Sequence, residues 1–309
     1  MLDINLIIDH YEDVKNKLQS RGYSLELDEL KELHDSRKEI ITQKEKLAAK
    51  KNQNHISKFK VNNTLFGGRV IPIMAGPNMV ENEKMIIQIA KYVKKQGAQF
   101  LRGGAFKPLS FPYRSPKYNE TRELGLKWLA KAKDETGIGI VTEVMEERFI
   151  EPIAKVADIL QIGSRNMQNY PFITQVAKTG KPILLKRHYG SSLRDFLGAA
   201  EYILFEGNKK LILCERGVSI PHTHRSTSRF SLDLQIIPAA KEISHLPIIS
   251  DPSHATFWRP WVPSMTLASI AAGADGIMLE VHPDPKNAAV DPLQPLNFKQ
   301  FKKTRNFAD

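Results

Sequence analysis

Hydrophobic positions along the chain follow two rhythms, and the change between them falls near residue 68. In residues 1–52, Leu30, Leu33, Ile40 and Leu47 recur at spacings of three or seven among charged neighbours, which predicts helices. The stretch KNQNHISKFKVNNT then reads as a polar linker. Beyond it, short β-rich runs return at regular intervals: Val70–Pro77, Phe100–Phe106, Gly139–Met145, Ile159–Ser164, Pro182–Arg187, Leu211–Gly217, Pro247–His254 and Gly276–His282. Segments of helical character separate them, such as EKMIIQIAKYVKKQG and SLRDFLGAAEYILFEG. Strand and helix alternating eight times predict an α/β chain, a (β/α)8 TIM barrel over 61–309 with a helical extension and linker over 1–60. A doubly wound open sheet is the rival. It usually has fewer strands and a glycine-rich first turn, whereas the first turn here is AGPNMVEN.

Composition narrows the function classes. The 309 residues suffice for one large domain and an appendage, and 41% apolar content is ordinary for a globular chain. No uninterrupted apolar run is long enough to predict a membrane helix, and acids inside MLDINLIIDHYEDVK argue against a signal peptide. One cysteine, Cys214, cannot form an internal disulfide, which fits a reducing cytoplasm. The net charge of +11 points to anionic partners, either nucleic acid or phosphorylated metabolites. Residues 36–60 hold eight Lys/Arg against two Glu, and the rest of the excess lies in the body of the chain. That spread suits an anion-binding pocket at least as well as a nucleic-acid surface.

In a parallel barrel the strands' C-terminal ends carry the chemistry. Those ends offer Asn78, then Arg102 and Lys107, then Glu143, then Arg165 with Asn166 and Gln168. They continue with Lys186 and Arg187, Glu215 and Arg216, Asp251 and His254, and Glu280 and His282. Arg102, Lys107, Arg165, Lys186 and Arg216 would repel one another if packed alone. A small ligand with both phosphate and carboxylate would let them converge, since Arg grips such groups with two parallel hydrogen bonds and Lys acts as a point charge. The alternative is structural pairing with Glu143, Glu215 or Asp251. His254, Glu280 and Asp291 form a plausible divalent-metal set, with a metal-free histidine an equal reading. His222 and His224 read as exposed loop rather than a metal pair.

The motifs AGPNMVEN, LRGGAFKP, TEVM, QIGSRNMQN, LLKR, CERG, DPSHAT and EVHPDP, in that order, resemble the compact (Iβ) 3-deoxy-D-arabino-heptulosonate 7-phosphate (DAHP) synthases and their octulosonate-phosphate (KDO8P) relatives over residues 65–303. The resemblance implies a transferase of aromatic amino acid biosynthesis (the shikimate pathway) or of a specialised route. It would condense phosphoenolpyruvate with a phosphorylated aldose and release phosphate. It also implies that Arg102, Lys107, Arg165, Lys186 and Arg216 hold phosphoenolpyruvate, and that Lys107, His254 and Glu280 are catalytic. Homo-oligomerisation is expected.

Three departures from the family pattern stand out. Asn78 occupies the place of a metal-binding cysteine, beside His254, Glu280 and Asp291. An amide oxygen is a poor transition-metal ligand, so any divalent metal should be weakly bound or dispensable. The aldehyde segment reads KPLSFPY, with Leu109 and Ser110 where the family has Arg and Thr. Lys107, Pro108 and Ser110 are then expected at the aldehyde. The loop after CERG is lengthened, and its Arg225 and Arg229 could restore anion binding there or reshape the pocket. Residues 1–40 resemble the start of the tRNA-binding arm of seryl-tRNA synthetases. That implies either an RNA contact or a helical packing element. An alternative function for the whole chain is an anion-binding regulatory or RNA-associated barrel that has lost the condensation.

Overall fold

The computed structural model describes residues 10–23, 31–39, 42, 56–107, 120–221 and 230–308. The chain divides into two compact units, Met1–His55 and Ile56–Asp309. In the first, helix Tyr11–Gln19 opens with Glu12 and Asp13 and closes with Lys17, charges that complement its dipole. Tyr11 is buried, with the ammonium groups of Lys15 and Lys31 5.4 and 4.9 Å from its ring centroid. Residues 31–39 are also helical, and Leu33 among them is exposed. Leu30, Ile40 and Leu47 of the anticipated stripe lie outside the described residues.

The second unit begins inside the stretch expected to be a linker. Strands β1 (Phe59–Val61) and β2 (Thr64–Phe66) form an antiparallel hairpin. Its Phe66 is fully buried, 5.7 Å from the ring of Phe100. Eight parallel strands follow: β3 (Ile73–Gly76), β4 (Phe100–Arg102), β5 (Gly139–Val144), β6 (Ile159–Ile162), β7 (Ile183–Lys186), β8 (Leu211–Glu215), β11 (Ile248–Ser250) and β12 (Ile277–Glu280). They close into a barrel in chain order, β12 pairing back onto β3. A small ribbon of β9 (Val218–Ser219) and β10 (Phe230–Ser231) follows β8. Each barrel strand falls within the run anticipated for it and is shorter, because the run's last residues turn into the loop that bears polar groups.

The two-residue period of a strand sorts its side chains. Ile73, Ala75, Leu101, Ile140, Leu160, Ile183, Leu185, Leu213, Ile248 and Leu279 face the helices in one core. Met74, Phe100, Val141, Ile159, Leu184, Ile212, Ile249 and Met278 fill the barrel's inside with Val61 and Phe66 of the hairpin in another. Two residues beyond that inner layer, the same face carries Arg102, Glu143, Gln161, Lys186, Asp251 and Glu280, all buried. The barrel thus has an apolar floor and a charged storey above it, and alternation alone dictates the membership of both.

Local signals explain the surrounding helices. Helix Glu83–Lys95 starts where Asn82 accepts the Met85 N–H, and buries Ile86, Ile89, Ala90 and Val93 at helical spacing. Helix Leu193–Phe205 begins with a capping box between Ser192 and Asp195. Ser192→Ala is expected to cost about 1 kcal/mol. In a barrel of this size that lowers the melting temperature by roughly 2–4 °C, and an unchanged thermal scan would contradict the cap's role. At the barrel's other end, Gln99, Asp158 and Asp275 side chains accept the opening N–H groups of Ile73, Ile140 and Ile248. Gly76, with φ of 154°, is required where it stands: a Cβ there would lie 2.1 Å from the carbonyl oxygen of Arg102. No described helix is long and apolar enough to cross a membrane.

Candidate active site

The charged storey is bonded together through Asn78, just past β3. Its Oδ1 accepts from Arg102 Nη2 (3.2 Å) and Lys107 Nζ (2.9 Å), and its Nδ2 donates to Asp291 Oδ2 (2.9 Å). Two cations on one side and a carboxylate on the other leave one sensible orientation for the amide. Asp291 sits at φ 48°, a left-handed conformation that Asp tolerates better than most residues, immediately before Pro292. Lys107 also reaches Glu143 Oε2 at 3.4 Å, and Gln161 Nε2 donates to that same oxygen at 3.2 Å. Gly163 leaves room for it, since a Cβ there would fall 1.9 Å from Glu143 Oε1.

On the opposite side, Lys186 Nζ lies 2.5 Å from Asp251 Oδ2, and His254 Nδ1 lies 2.8 Å from the same atom. Asp251 caps the short helix Pro252–Thr256, its Oδ1 accepting the His254 N–H. Burial opposes a charge on Asp251, yet the imidazole and the Lys186 ammonium hold its carboxyl well below the usual range. Burial also holds His254 well below the ordinary imidazole range, which makes it a neutral ring, and its Nδ1, close to Asp251, makes no aligned hydrogen bond among the described residues. Its Nε2 is 3.9 Å from Glu280 Oε2. That oxygen accepts from Gln294 Nε2 and lies 3.9 Å from Arg102 Nη1.

Arg102, Lys107 and Lys186 therefore each carry an acid neighbour. Burial pushes the Glu280 carboxyl up to about 8, so near neutral pH it is largely uncharged. Glu143, Asp251 and Asp291 then face Arg102, Lys107 and Lys186. Arg102 is 2% exposed, and its Nε and Nη1 make no hydrogen bond among the described residues. Buried guanidinium donors without acceptors are costly unless an anion meets them. Burial lowers the Lys107 pKa, with Glu143 opposing the shift.

The remaining anticipated residues are placed as follows. Arg165 is exposed on the turn Ser164–Asn166 after β6. Arg216 follows β8, its guanidinium 4.2 Å from the Phe230 ring. Arg187 and Glu215 alternate away from the inner face and bind each other at 3.1 Å. Arg187 also meets Asp233 at 2.7 Å, and these links anchor the turn under Arg216. His282 Nδ1 accepts from the Asp284 N–H, so its Nε2 proton points to Glu81, 3.2 Å away. Glu81 accepts the Ala289 N–H as well, tying down the loop that delivers Asp291. Pro108, Leu109, Ser110, His222, His224, Arg225 and Arg229 lie outside the described residues. Gln161, Gln294 and Phe230 were not anticipated. The first was legible from strand alternation. Gln294 reaches the storey from a loop, Phe230 lies against Arg216 in the β10 ribbon, and neither carries a periodic signal.

A divalent cation fits this donor set poorly. The Asn78 oxygen already faces two cations, and its amide protons occupy the Asp291 oxygen a metal would need. Among the described residues, no three His, Cys, Asp or Glu side chains cluster as a metal cage.

Known proteins share this architecture. A model of the DAHP synthetase I family matches residues 50–308, and one of the seryl-tRNA synthetase N-terminal domain matches residues 1–64. A phospho-2-dehydro-3-deoxyheptonate aldolase of Thermotoga maritima is 41% identical over 236 residues, 76% of this chain and 68% of that one. A 2-dehydro-3-deoxyphosphooctonate aldolase of Pisum sativum is 31% identical over 247 residues, 71% of this chain and 80% of that one. The crystal structure of the DAHP synthase of Thermotoga maritima matches with a TM-score of 0.76 at 38% identity, over 82% of this chain and 73% of that chain.

Proposed function

The chain belongs to the DAHP synthetase I family, and from that premise we propose that its barrel joins phosphoenolpyruvate to a phosphorylated aldose and releases inorganic phosphate. The observation that carries this reading is the group of buried cations, Arg102, Lys107 and Lys186, with Arg102 Nε and Nη1 making no hydrogen bond among the described residues. Phosphoenolpyruvate carries a carboxylate and a phosphate on a three-carbon frame, and both can be met by such donors. Arg165 and Arg216, from the ends of β6 and β8, are the proposed additions to that group.

C3 of the enol attacks the aldehyde carbon, and the aldehyde oxygen takes a proton. Lys107 is the proposed donor, because burial lowers its pKa and makes its ammonium a better acid. Water adds its hydroxyl at C2 and gives up a proton, and the C2–O bond then breaks to leave a ketone and phosphate. Fixed cations stabilise the charge that gathers on the phosphate. His254, neutral and oriented by Asp251, presents Nε2 as a base for the water proton. The aldehyde itself, and any role of Pro108, Ser110 or Arg225 toward it, is set by segments outside the described residues.

The test is phosphate release from phosphoenolpyruvate with a panel of aldose phosphates, including erythrose 4-phosphate, with and without chelator. Aldehyde-dependent release that survives the chelator is expected. Folded protein that binds phosphoenolpyruvate yet releases nothing with any aldehyde would leave only an anion-binding barrel. Asn78→Cys is expected to create tight binding of a transition-metal ion, because a thiolate replaces an oxygen turned toward two cations. Unchanged metal affinity by calorimetry would contradict the place given to Asn78.

A further inference from the structure

Phe230 does not belong to the strand-end pattern, yet several features converge on it. It opens β10, where it pairs with Ser219 of β9. The Ser219 N–H donates to the Tyr189 carbonyl at 2.8 Å, hooking the ribbon to the segment after β7. Gly217, with φ of 96°, lets the ribbon close. A Cβ there would lie 2.8 Å from Ala255 Cα and 2.9 Å from Phe230 Cβ. The ribbon is therefore packed onto the short helix that bears His254. The Tyr189 ring stands 5.5 Å from that of Phe230, and the Arg216 guanidinium lies 4.2 Å from the Phe230 centroid.

A guanidinium meets an aromatic ring through its flat face, while its five N–H donors lie in its plane. A ring on the face thus restrains the group without occupying a donor. Arg216 is 9% exposed, so the contact is largely shielded from water and is stronger for it. Its charge is felt nearby: burial first, and Arg216 second, lower the His188 pKa.

We propose that Phe230 is a positioning residue for Arg216, stacking on the guanidinium so that its in-plane donors are held ready for an oxyanion of phosphoenolpyruvate. The inference rests on the functional reading above for the identity of the ligand. The stacking itself does not depend on it. An aromatic partner turns a mobile side chain into a preorganised one, and the freedom lost is lost before the ligand arrives.

The experiment uses the full chain and three forms: unaltered, Phe230→Leu and Phe230→Tyr. Phosphoenolpyruvate binding is read by calorimetry, kcat and KM by phosphate release, and Arg216 by a crystal structure of each form. Phe230→Leu is expected to raise Kd and KM about five- to tenfold with kcat little changed, and to leave Arg216 displaced or in several conformers. Phe230→Tyr is expected to restore both. Unchanged affinity in the leucine form, or an Arg216 still fixed in its present place, overturns the proposal. Equal loss in both variants also overturns it, since that would mark Phe230 as packing only. If the unaltered chain does not bind phosphoenolpyruvate, the functional reading fails. The crystallographic order of Arg216 in the leucine form then judges Phe230 by itself.

Discussion

Lys186→Met is expected to lower kcat/KM for phosphoenolpyruvate by roughly a thousandfold and to remove measurable binding of that ligand. Lys186 is at the centre of the charged storey, 4% exposed, on the inner face of β7 two residues past Leu184 of the apolar floor. Methionine keeps much of the volume and deletes the charge. The same substitution strips Asp251 of its nearest cation, 2.5 Å away. A buried carboxylate left unpaired costs about 3–5 kcal/mol. Here His254 limits the damage: with the lysine's repulsion gone and Asp251 uncompensated, its imidazole can take up a proton. Stability of the variant should therefore improve on acidification relative to the unaltered protein. Steady-state kinetics and urea unfolding at two pH values check both claims. A variant with intact kcat/KM would show that Lys186 is only half of a structural ion pair.

Glu280→Gln is expected to make stability less dependent on alkaline pH. Burial raises the folded carboxyl from its ordinary 4.5 to about 8. Below pH 4.5 both folded and unfolded chains hold the proton, and the group contributes nothing to pH dependence. Between 4.5 and 8 the unfolded chain releases its proton and the folded chain keeps it, so stability falls as pH rises. Above 8 the full penalty applies, on the order of 5 kcal/mol for a gap of this size. Glutamine keeps the shape without a titrating group. Its unfolding free energy should gain on that of the unaltered protein from pH 5 to pH 8 and level off above. Parallel profiles would mean that Arg102 and Gln294 already hold Glu280 ionised.

The barrel was legible because each strand repeats the same instruction: a short apolar run, a polar end and then a helical period. Even the division of labour within strands can be read, since Leu184 and Lys186 share a face while Arg187 does not. The hairpin Phe59–Phe66 was hidden by its lysines and asparagines, which look like a linker until Phe66 is seen plugging the barrel floor. Within the site, the residue types were visible and their pairing was not. Ion pairs such as Lys186–Asp251 join positions 65 residues apart, and no local spacing announces them. Gln294 and Phe230 are less visible still, because a loop brings the first to Glu280 and a two-residue ribbon brings the second to Arg216.

The decisive measurement is a calorimetric titration of phosphoenolpyruvate into the intact protein, repeated as salt is raised. Stoichiometric binding that weakens with ionic strength, and that Lys186→Met abolishes, is the predicted outcome. Folded protein that gives no heat at any salt concentration, or that binds equally well without Lys186, would contradict it.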